Sequence, residues 1–365
     1  MKITHIGSVL LRPFPWVLVK VTTDEGITGI GEAYHGAGVH QIIADERFQD
    51  LLIGEEPRNV DKLFRRMMRW KASYQGAIMS AISGVELALW DITGKAAGIP
   101  IWQLMGGKFR DTVRIYNDCH EGKTGTPESY AAKAKEVEAL GFTAIKFDID
   151  PPQRRYTTDD MSHHVEIVTA IRESLNSNTD LAIDAHWAYT PHDILKVAYA
   201  FEDLNLLWLE DPIPPENVEA MVKITASTRT PICTGENLYT RFGFRDLIQR
   251  QGADIISPDL AKSGGLLEGK RIADFADLYY IPIAPHNIGS PIQTVAVSHV
   301  MAATPNFLVL EFHHLGNPVW ESLINETPLI QDGHITVPDR PGLGVTLNED
   351  AVRENAREDL GFLDY

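Results

Sequence analysis

Apolar residues follow two different patterns along the chain, and the pattern changes near residue 112. In the first part, the apolar-rich runs 16–21 and 27–32 lie on either side of the turn sequence 24–26, which predicts a β-hairpin. Two helices are predicted after it, over 61–71 and 77–98, and in the second of them apolar residues recur at steps of three and four. The pattern therefore predicts a small α+β unit.

From about residue 112 the chain repeats a short apolar run followed by a polar, helix-forming stretch. The eight runs are 113–116, 144–147, 181–183, 206–209, 232–234, 255–256, 281–284 and 307–310. Alternating strands and helices predict a parallel sheet, and eight of them fit a closed barrel better than an open sheet. No phosphate-binding glycine fingerprint follows the first run, which also disfavours the open sheet.

These patterns predict an α/β fold in three segments. Residues 112–324 are expected to form a (β/α)8-type, modified TIM barrel, the candidate catalytic domain, and residues 1–111 are expected to form an α+β capping domain. The turn-rich segment 325–365 returns to the cap.

Composition narrows the function classes. The chain has 365 residues, with 33 Lys+Arg against 50 Asp+Glu, for a formal net charge of −17. An acidic chain without basic runs does not suit a nucleic-acid or anionic-membrane surface, and we see no apolar run of the roughly 20 residues that cross a bilayer. The N-terminus lacks an apolar signal segment, and the chain has only two cysteines, so we expect a cytoplasmic protein.

Charged residues stand at or just after the ends of most predicted strands. Asp184, Glu210 and Glu236 close three consecutive strands at equal spacing. The neighbouring strand ends carry Lys146, Asp259, His286 and Glu311. Because the carboxyl ends of all barrel strands open on one mouth, these side chains are expected to meet there.

The three carboxylates predict a metal site. One acidic residue at a strand end is more often a helix cap or a solvated charge than a metal ligand. Three in register, however, would repel one another unless a cation neutralised them. Oxygen ligands select a hard ion, and Mg²⁺ is the expected one.

Several motifs together resemble a known family. They are Gly-Ile-Gly-Glu-Ala at 29–33, Glu-Leu-Ala-Leu-Trp-Asp-Ile at 86–92, Gly-Gly at 106–107, Pro-Asp at 258–259, Ala-Pro-His at 284–286 and the closing segment 338–344. With the carboxylate triad, they resemble the enolase superfamily, in its mandelate racemase/muconate lactonizing enzyme family, of the acid-sugar (aldonate) dehydratase type.

The resemblance implies roles for the main site residues. Asp184, Glu210 and Glu236 would bind Mg²⁺, and His286 with Asp259 would form a base dyad. Enzymes of this superfamily remove a proton next to a carboxylate and stabilise the resulting enediolate with the metal. The base supplies only part of the needed rate enhancement, so most must come from charge stabilisation.

Two further side chains decide the reaction type. The Asp184-Ala185-His186 spacing resembles members in which this histidine protonates the departing hydroxyl, although a loop histidine remains an alternative. Racemase-like relatives carry Lys-x-Lys on the second strand, whereas this chain has Lys146-Phe147-Asp148. Lys146 would still bind the substrate carboxylate, but the missing second lysine disfavours two-base racemisation. Asp148 would contact a substrate hydroxyl or a metal-bound water, or it is simply solvated.

The remaining candidates lie around the predicted mouth. By the same resemblance, Glu311 is expected to interact with the substrate carboxylate or the developing enediolate and to be protonated for that purpose. His313 and His314 either reach polyol hydroxyls or are solvated. Trp16 and Tyr34, with His35, would close over the mouth and bind substrate, unless they only pack structurally. Cys119 and His120 receive no catalytic role.

The predicted function is a Mg²⁺-dependent hydro-lyase that converts an aldonate, such as gluconate or galactonate, into a 2-keto-3-deoxy acid. Two alternatives remain open: an epimerase, racemase or sugar-lactone cycloisomerase, and a non-catalytic binding relative. A small sugar acid is the expected partner, and a homo-oligomer is expected because relatives are commonly symmetric assemblies.

Overall fold

The structure is a computed structural model that describes residues 1–70, 75–120, 125–149 and 158–360. The capping unit (the cap) begins with the antiparallel sheet β1 (Ile3–Leu10), β2 (Val17–Thr23) and β3 (Thr28–Ala33). Its helices are α1 (Ala37–Ala44), α2 (Glu46–Gln49), α3 (Val60–Met68), α4 (Ala77–Ala97) and α5 (Ile101–Leu104). The predicted hairpin and both predicted helices are present, although the expected end at residue 71 lies outside the described residues.

Helix α4 packs directly on strand β3 because glycines let the two backbones approach. A Cβ atom on Gly31 would lie 2.3 Å from the carbonyl oxygen of Gly84 in α4. Among the described residues, α4 is the one helix long and apolar enough to cross a membrane, but 78% of that stretch is buried inside the protein. Its apolar surface is therefore core of the cap.

The barrel follows with the predicted alternation. Its strands are β4 (Thr112–Cys119), β5 (Ala144–Asp148), β6 (Asp180–Asp184), β7 (Trp208–Glu210), β8 (Ile232–Thr234), β9 (Ile255–Ile256) and β10 (Leu310–Phe312). Its helices are α6 (Pro127–Ala139), α7 (Thr158–Ser174), α8 (Pro191–Phe201), α9 (Val218–Thr225), α10 (Thr240–Gln249), α11 (Leu260–Ser263), α12 (Leu266–Asp277) and α13 (Pro291–Ala302). A short 3₁₀ turn, Glu202–Leu204, follows α8.

The strand ring closes through short contacts. The predicted seventh strand is reduced to a parallel bridge from Ile283 to Ile256 on one side and to Phe307 on the other. The chain then continues into β10, which pairs in parallel with β4. Each of the eight positions around the ring also sends one apolar side chain into a shared inner layer: Tyr116, Ala144, Ala182, Trp208, Cys233, Ile255, Ala284 and Val309. The α/β barrel with an α+β cap, predicted from the sequence, is confirmed.

The C-terminal segment contacts both units. It comprises α14 (Pro318–Ser322), β11 (Ile330–Gln331), β12 (His334–Thr336), α15 (Glu349–Glu354) and the 3₁₀ turn Glu358–Leu360. Strand β12 pairs with the start of β4, whereas the backbone of Arg357 donates to Leu10 in the cap. The boundaries predicted at 111/112 and 324/325 stay predictions.

His299 in α13 makes the folded protein sensitive to acid. Its Nε2 donates to the Leu343 carbonyl (2.9 Å), and its Nδ1 accepts from the Trp102 amide (3.3 Å), so the neutral ring satisfies both partners. Burial lowers the pKa of His299 to about 4. The unfolded chain therefore binds an extra proton between about pH 6.5 and pH 4, and stability falls as the pH falls through that range.

We expect this group alone to lower the free energy of unfolding by about 2 kcal/mol between pH 7 and pH 5. Urea unfolding of the His299→Gln variant, which keeps a donor and an acceptor, should show a smaller fall than wild type. The exposed His192 provides the control, since His192→Gln should keep the wild-type slope. If the free energy of unfolding of His299→Gln falls with pH as steeply as that of wild type, His299 is not the source of the acid sensitivity.

Candidate active site

Strand register brings the charged side chains together at one end of the barrel. Asp118 of β4 pairs with Lys146 of β5, and Asp148 of β5 pairs with Asp184 of β6. Asp184 in turn pairs with Glu210 of β7. Side chains two residues apart on a strand share a face, so Lys146 and Asp148 both belong to the mouth.

Lys146 lies at the centre of a ring of carboxylates. Its Nζ is 3.3 Å from Asp118, 3.1 Å from Asp184, 3.1 Å from Glu210 and 2.6 Å from Glu311. Burial alone would lower its pKa, but the carboxylates of Glu210 and Glu311 outweigh burial and hold the pKa well above its usual value. Lys146 is therefore a charged group shared among protein carboxylates, of which the sequence analysis did not select Asp118.

The residues predicted as metal ligands fit a hard divalent cation. Asp184, Glu210 and Glu236 each offer a carboxylate oxygen within 4.8 Å of the other two, and all three are buried. Glu210 uses Oε2 to accept from Trp208 (2.8 Å) and from Lys146. Its Oε1 is buried without a hydrogen-bond partner among the described residues. Because such orphaned oxygens are rare, this atom is a natural cation ligand.

His286 and Asp259 form the predicted dyad. His286 Nδ1 lies 2.8 Å from Asp259 Oδ2, so the neutral ring donates there and leaves Nε2 free to accept a proton. The other carboxylate oxygen, Asp259 Oδ1, accepts from Gln293 Nε2 (3.0 Å) and from the Ala261 amide (2.9 Å). Asp259 thus caps helix α11 and orients the base at once.

The open nitrogen of His286 faces carboxylates. Its Nε2 lies 3.3 Å from Glu236 and 3.8 Å from Glu311. Burial would lower the pKa of His286, but these carboxylates and the Asp259 hydrogen bond raise it to about 10. A cation held by Glu236 would offset the charge of that carboxylate, lower the pKa of His286 and so favour the neutral ring whose Nε2 can accept a proton.

The contacts of Glu311 favour its ionised form over the expected protonated one. Burial favours the neutral acid, but Lys146, His286 and His313 hold the pKa of Glu311 well below its usual value. The Lys146 ammonium at 2.6 Å stabilises the ionised form most strongly. Glu311 is therefore a carboxylate that neutralises Lys146.

His186 lies near the triad at its Asp184 side. Its Nε2 is 3.5 Å from Asp184 and 3.8 Å from Asp148, and its backbone has a positive φ of 41°. Its amide donates to Asp184 Oδ1 (2.8 Å), which fixes the turn. His286, by contrast, lies next to Glu236, so the two histidines contact different carboxylates of the same triad.

Two residues that the sequence analysis did not select join this part of the mouth. His120 Nδ1 lies 2.9 Å from Asp148 Oδ2, and its Nε2 lies 3.2 Å from His313 Nδ1. The hydrogen bond to Asp148 raises the pKa of His120 to about 8. Asp118 lies 3.1 Å from His313 Nε2. Asp148 and His313 are therefore members of a connected polar cluster rather than isolated solvated groups.

The predicted cap residues meet the barrel in different ways. Trp16 is buried and donates to the Ile288 carbonyl (3.0 Å). His314 bonds the same carbonyl from the other side, and burial lowers its pKa to about 4, so His314 is not solvated. The Tyr34 ring centre lies 6.4 Å from that of His286, which brings the cap to the base.

Comparison with known proteins agrees with this geometry. Residues 5–106 match the N-terminal domain of the mandelate racemase / muconate lactonizing enzyme family, and residues 129–351 match the enolase C-terminal domain-like family. The chain belongs to the mandelate racemase / muconate lactonizing enzyme family of the enolase superfamily. The resemblance stated from the sequence motifs is confirmed.

Individual relatives cover almost the whole chain. It is 45% identical over 370 residues to a protein named D-xylonate dehydratase from Haloferax volcanii, covering 98% of this chain and 89% of that protein. It is 31% identical to a D-galactonate dehydratase from Pectobacterium atrosepticum, covering 98% and 95%. A crystal structure of a mandelate racemase/muconate lactonizing enzyme-like protein from Rubrobacter xylanophilus superposes with a TM-score of 0.94 at 40% identity, covering 99% of both chains.

Proposed function

We propose that this protein is a Mg²⁺-dependent hydro-lyase that removes water from an aldonate and releases a 2-keto-3-deoxy acid. At the coarser level it is a sugar-acid dehydratase, in line with the names of its relatives. The observation that supports the finer proposal is the pair of histidines on one carboxylate triad, with His286 beside Glu236 and His186 beside Asp184. Xylonate joins gluconate and galactonate as a candidate substrate because of the similar protein with that name.

Each step of the proposed reaction is assigned to particular residues. Asp184, Glu210 and Glu236 would hold the cation, which supplies positive charge that offsets their repulsion and favours the enediolate. His286 Nε2 accepts the proton from C2, while Asp259 fixes the tautomer. His186 donates a proton to the 3-hydroxyl, which leaves as water. The resulting enol takes up a proton at C3, loses the proton of its 2-hydroxyl and becomes the keto acid.

The direct test is incubation with aldonic and aldaric acids and Mg²⁺ in D₂O. Dehydration gives a keto acid that reacts with semicarbazide, whereas epimerisation gives deuterium at C2 without that product. Asp148 in place of a second lysine disfavours two-base epimerisation. A panel without any keto acid would contradict the proposed reaction.

The His186→Asn variant separates the two proton transfers. We expect keto-acid formation to fall by about 10²–10⁴-fold, the usual effect of losing a general acid. Exchange of the C2 proton with D₂O should continue, because His286 and Asp259 are untouched. NMR measures the exchange, and His192→Asn on the exposed start of α8 is the matched control. Wild-type keto-acid formation in His186→Asn would remove this residue from the mechanism.

A further inference from the structure

Lys262 is a buried lysine at the mouth whose ammonium is only partly satisfied. Lys262 is 6% exposed, its Nζ donates to Asn237 Oδ1, and this Nζ lies 4.7 Å from the centre of the Tyr34 ring. An ammonium has three donors, and in the part of the chain that the structure describes Asn237 is its one hydrogen-bond acceptor. No carboxylate in that part lies within 4.0 Å of it.

The other buried lysine of the mouth shows the contrast. Four carboxylates surround Lys146. Buried donors in folded proteins are normally paired, and a buried charge normally has a counter-charge or several hydrogen bonds. The Lys262 ammonium therefore has donors to offer to a molecule that is not part of this chain.

Three elements of the catalytic machinery position Lys262. It belongs to α11, which begins directly after Asp259, the partner of the base. Its acceptor Asn237 directly follows Glu236, a predicted metal ligand. The Tyr34 amide of the cap donates to the Ala261 carbonyl (3.1 Å), which holds the cap against this turn. The ammonium thus lies between the barrel site and the cap.

We propose that Lys262 is a substrate-binding residue that holds hydroxyl oxygens of the sugar acid beyond C3. This inference rests on the proposed function, which assigns C2 to His286 and the 3-hydroxyl to His186. The carbons beyond C3 then extend toward the cap. There, hydroxyl oxygens accept from the ammonium, and the same hydroxyls donate to Asn237 Oδ1.

The test compares two acids that differ only beyond C3. Xylonate has the distal hydroxyls, whereas glycerate keeps the carboxylate, the 2-hydroxyl and the 3-hydroxyl and lacks the rest. In Lys262→Met, kcat/KM for xylonate should fall by about 10- to 100-fold, mainly through KM, as for loss of a hydrogen bond to a charged group. The value for glycerate should stay unchanged. Lys262→Arg should restore part of the preference for xylonate.

Lys270→Met is the control, because Lys270 lies on α12 and pairs with Asp274. An equal loss for both acids in Lys262→Met would show that Lys262 acts on the carboxylate end or on the fold, and would overturn the inference. An unchanged ratio of the kcat/KM values for the two acids would also overturn it.

Calorimetric binding of both acids in Mg²⁺, in a His286→Asn background, keeps the two proposals apart. If Lys262→Met weakens the binding of xylonate but the wild type does not turn xylonate over, the proposed reaction is overturned. The binding role of Lys262 then stands. Xylonate binding that is equal with and without Lys262, or absent in both, would overturn the inference.

Discussion

Replacing His286 with asparagine is expected to lower kcat by about 10⁴-fold, the upper end of the range for loss of a general base. The proton next to a carboxylate is very weakly acidic, so the base cannot be replaced by water. Asparagine retains an N–H that can donate to Asp259 at the position of Nδ1, and the fold should therefore persist. Both keto-acid formation and exchange of the C2 proton in D₂O should be lost, unlike in His186→Asn.

Asp259→Asn should have a similar effect through the tautomer of His286. Asp259 Oδ1 accepts from Gln293 and from the Ala261 amide, so an asparagine must keep its oxygen there. Its NH₂ group then faces His286 Nδ1 and drives the ring proton to Nε2, where it blocks proton abstraction.

Because the two residues act as one unit, the double variant should be hardly slower than either single variant. Circular dichroism and calorimetric Mg²⁺ titration establish that both variants remain folded and bind metal. His192→Asn again serves as the control. Exchange of the C2 proton at the wild-type rate in His286→Asn would exclude this residue as the base.

The barrel and its triad could be predicted because they depend on regular features. Each strand is a short apolar run, and parallel strands place their carboxyl ends at one mouth wherever they occur in the sequence. Equal spacing of Asp184, Glu210 and Glu236 then suffices to predict that they meet, without knowledge of any loop.

Asp118 was not predicted because the apolar run of the first strand ends before the strand itself does. The first apolar run stops at Tyr116, yet pairing with β5 continues through Asn117, Asp118 and Cys119. Backbone hydrogen bonds rather than side-chain burial extend this strand. A search for polar residues near the carboxyl end of every barrel strand, including the first, would have selected Asp118.

Charge states depend on contacts that a linear pattern does not contain. The neighbours of Glu311 in sequence do not include Lys146, whose ammonium lies 2.6 Å away across the barrel and keeps Glu311 ionised. Lys262 is similar, since a lysine in a short helix usually has its ammonium in water. In this protein Lys262 is buried, and its ammonium lies 4.7 Å from the centre of the Tyr34 ring, which comes from the cap.

Glu210→Gln is expected to weaken Mg²⁺ binding by at least about 100-fold and to abolish turnover, since changes even outside the ligand set cost 10–100-fold. Glu210 Oε2 accepts from both Trp208 and Lys146, so the glutamine oxygen must remain at that position. The NH₂ group then occupies the place of Oε1, the buried oxygen without a partner among the described residues. A cation ligand is thereby exchanged for a hydrogen-bond donor.

Wild-type enzyme treated with EDTA should likewise lose turnover and regain it with Mg²⁺. Mg²⁺ should also raise the unfolding temperature of wild type, because a ligand that binds only the folded state stabilises it, and it should not do so for Glu210→Gln. Glu219→Gln is the matched control, since Glu219 is exposed and pairs with Arg250. Wild-type Mg²⁺ affinity in Glu210→Gln would show that residue 210 does not hold the cation, because the amide orientation leaves the glutamine no oxygen to offer it.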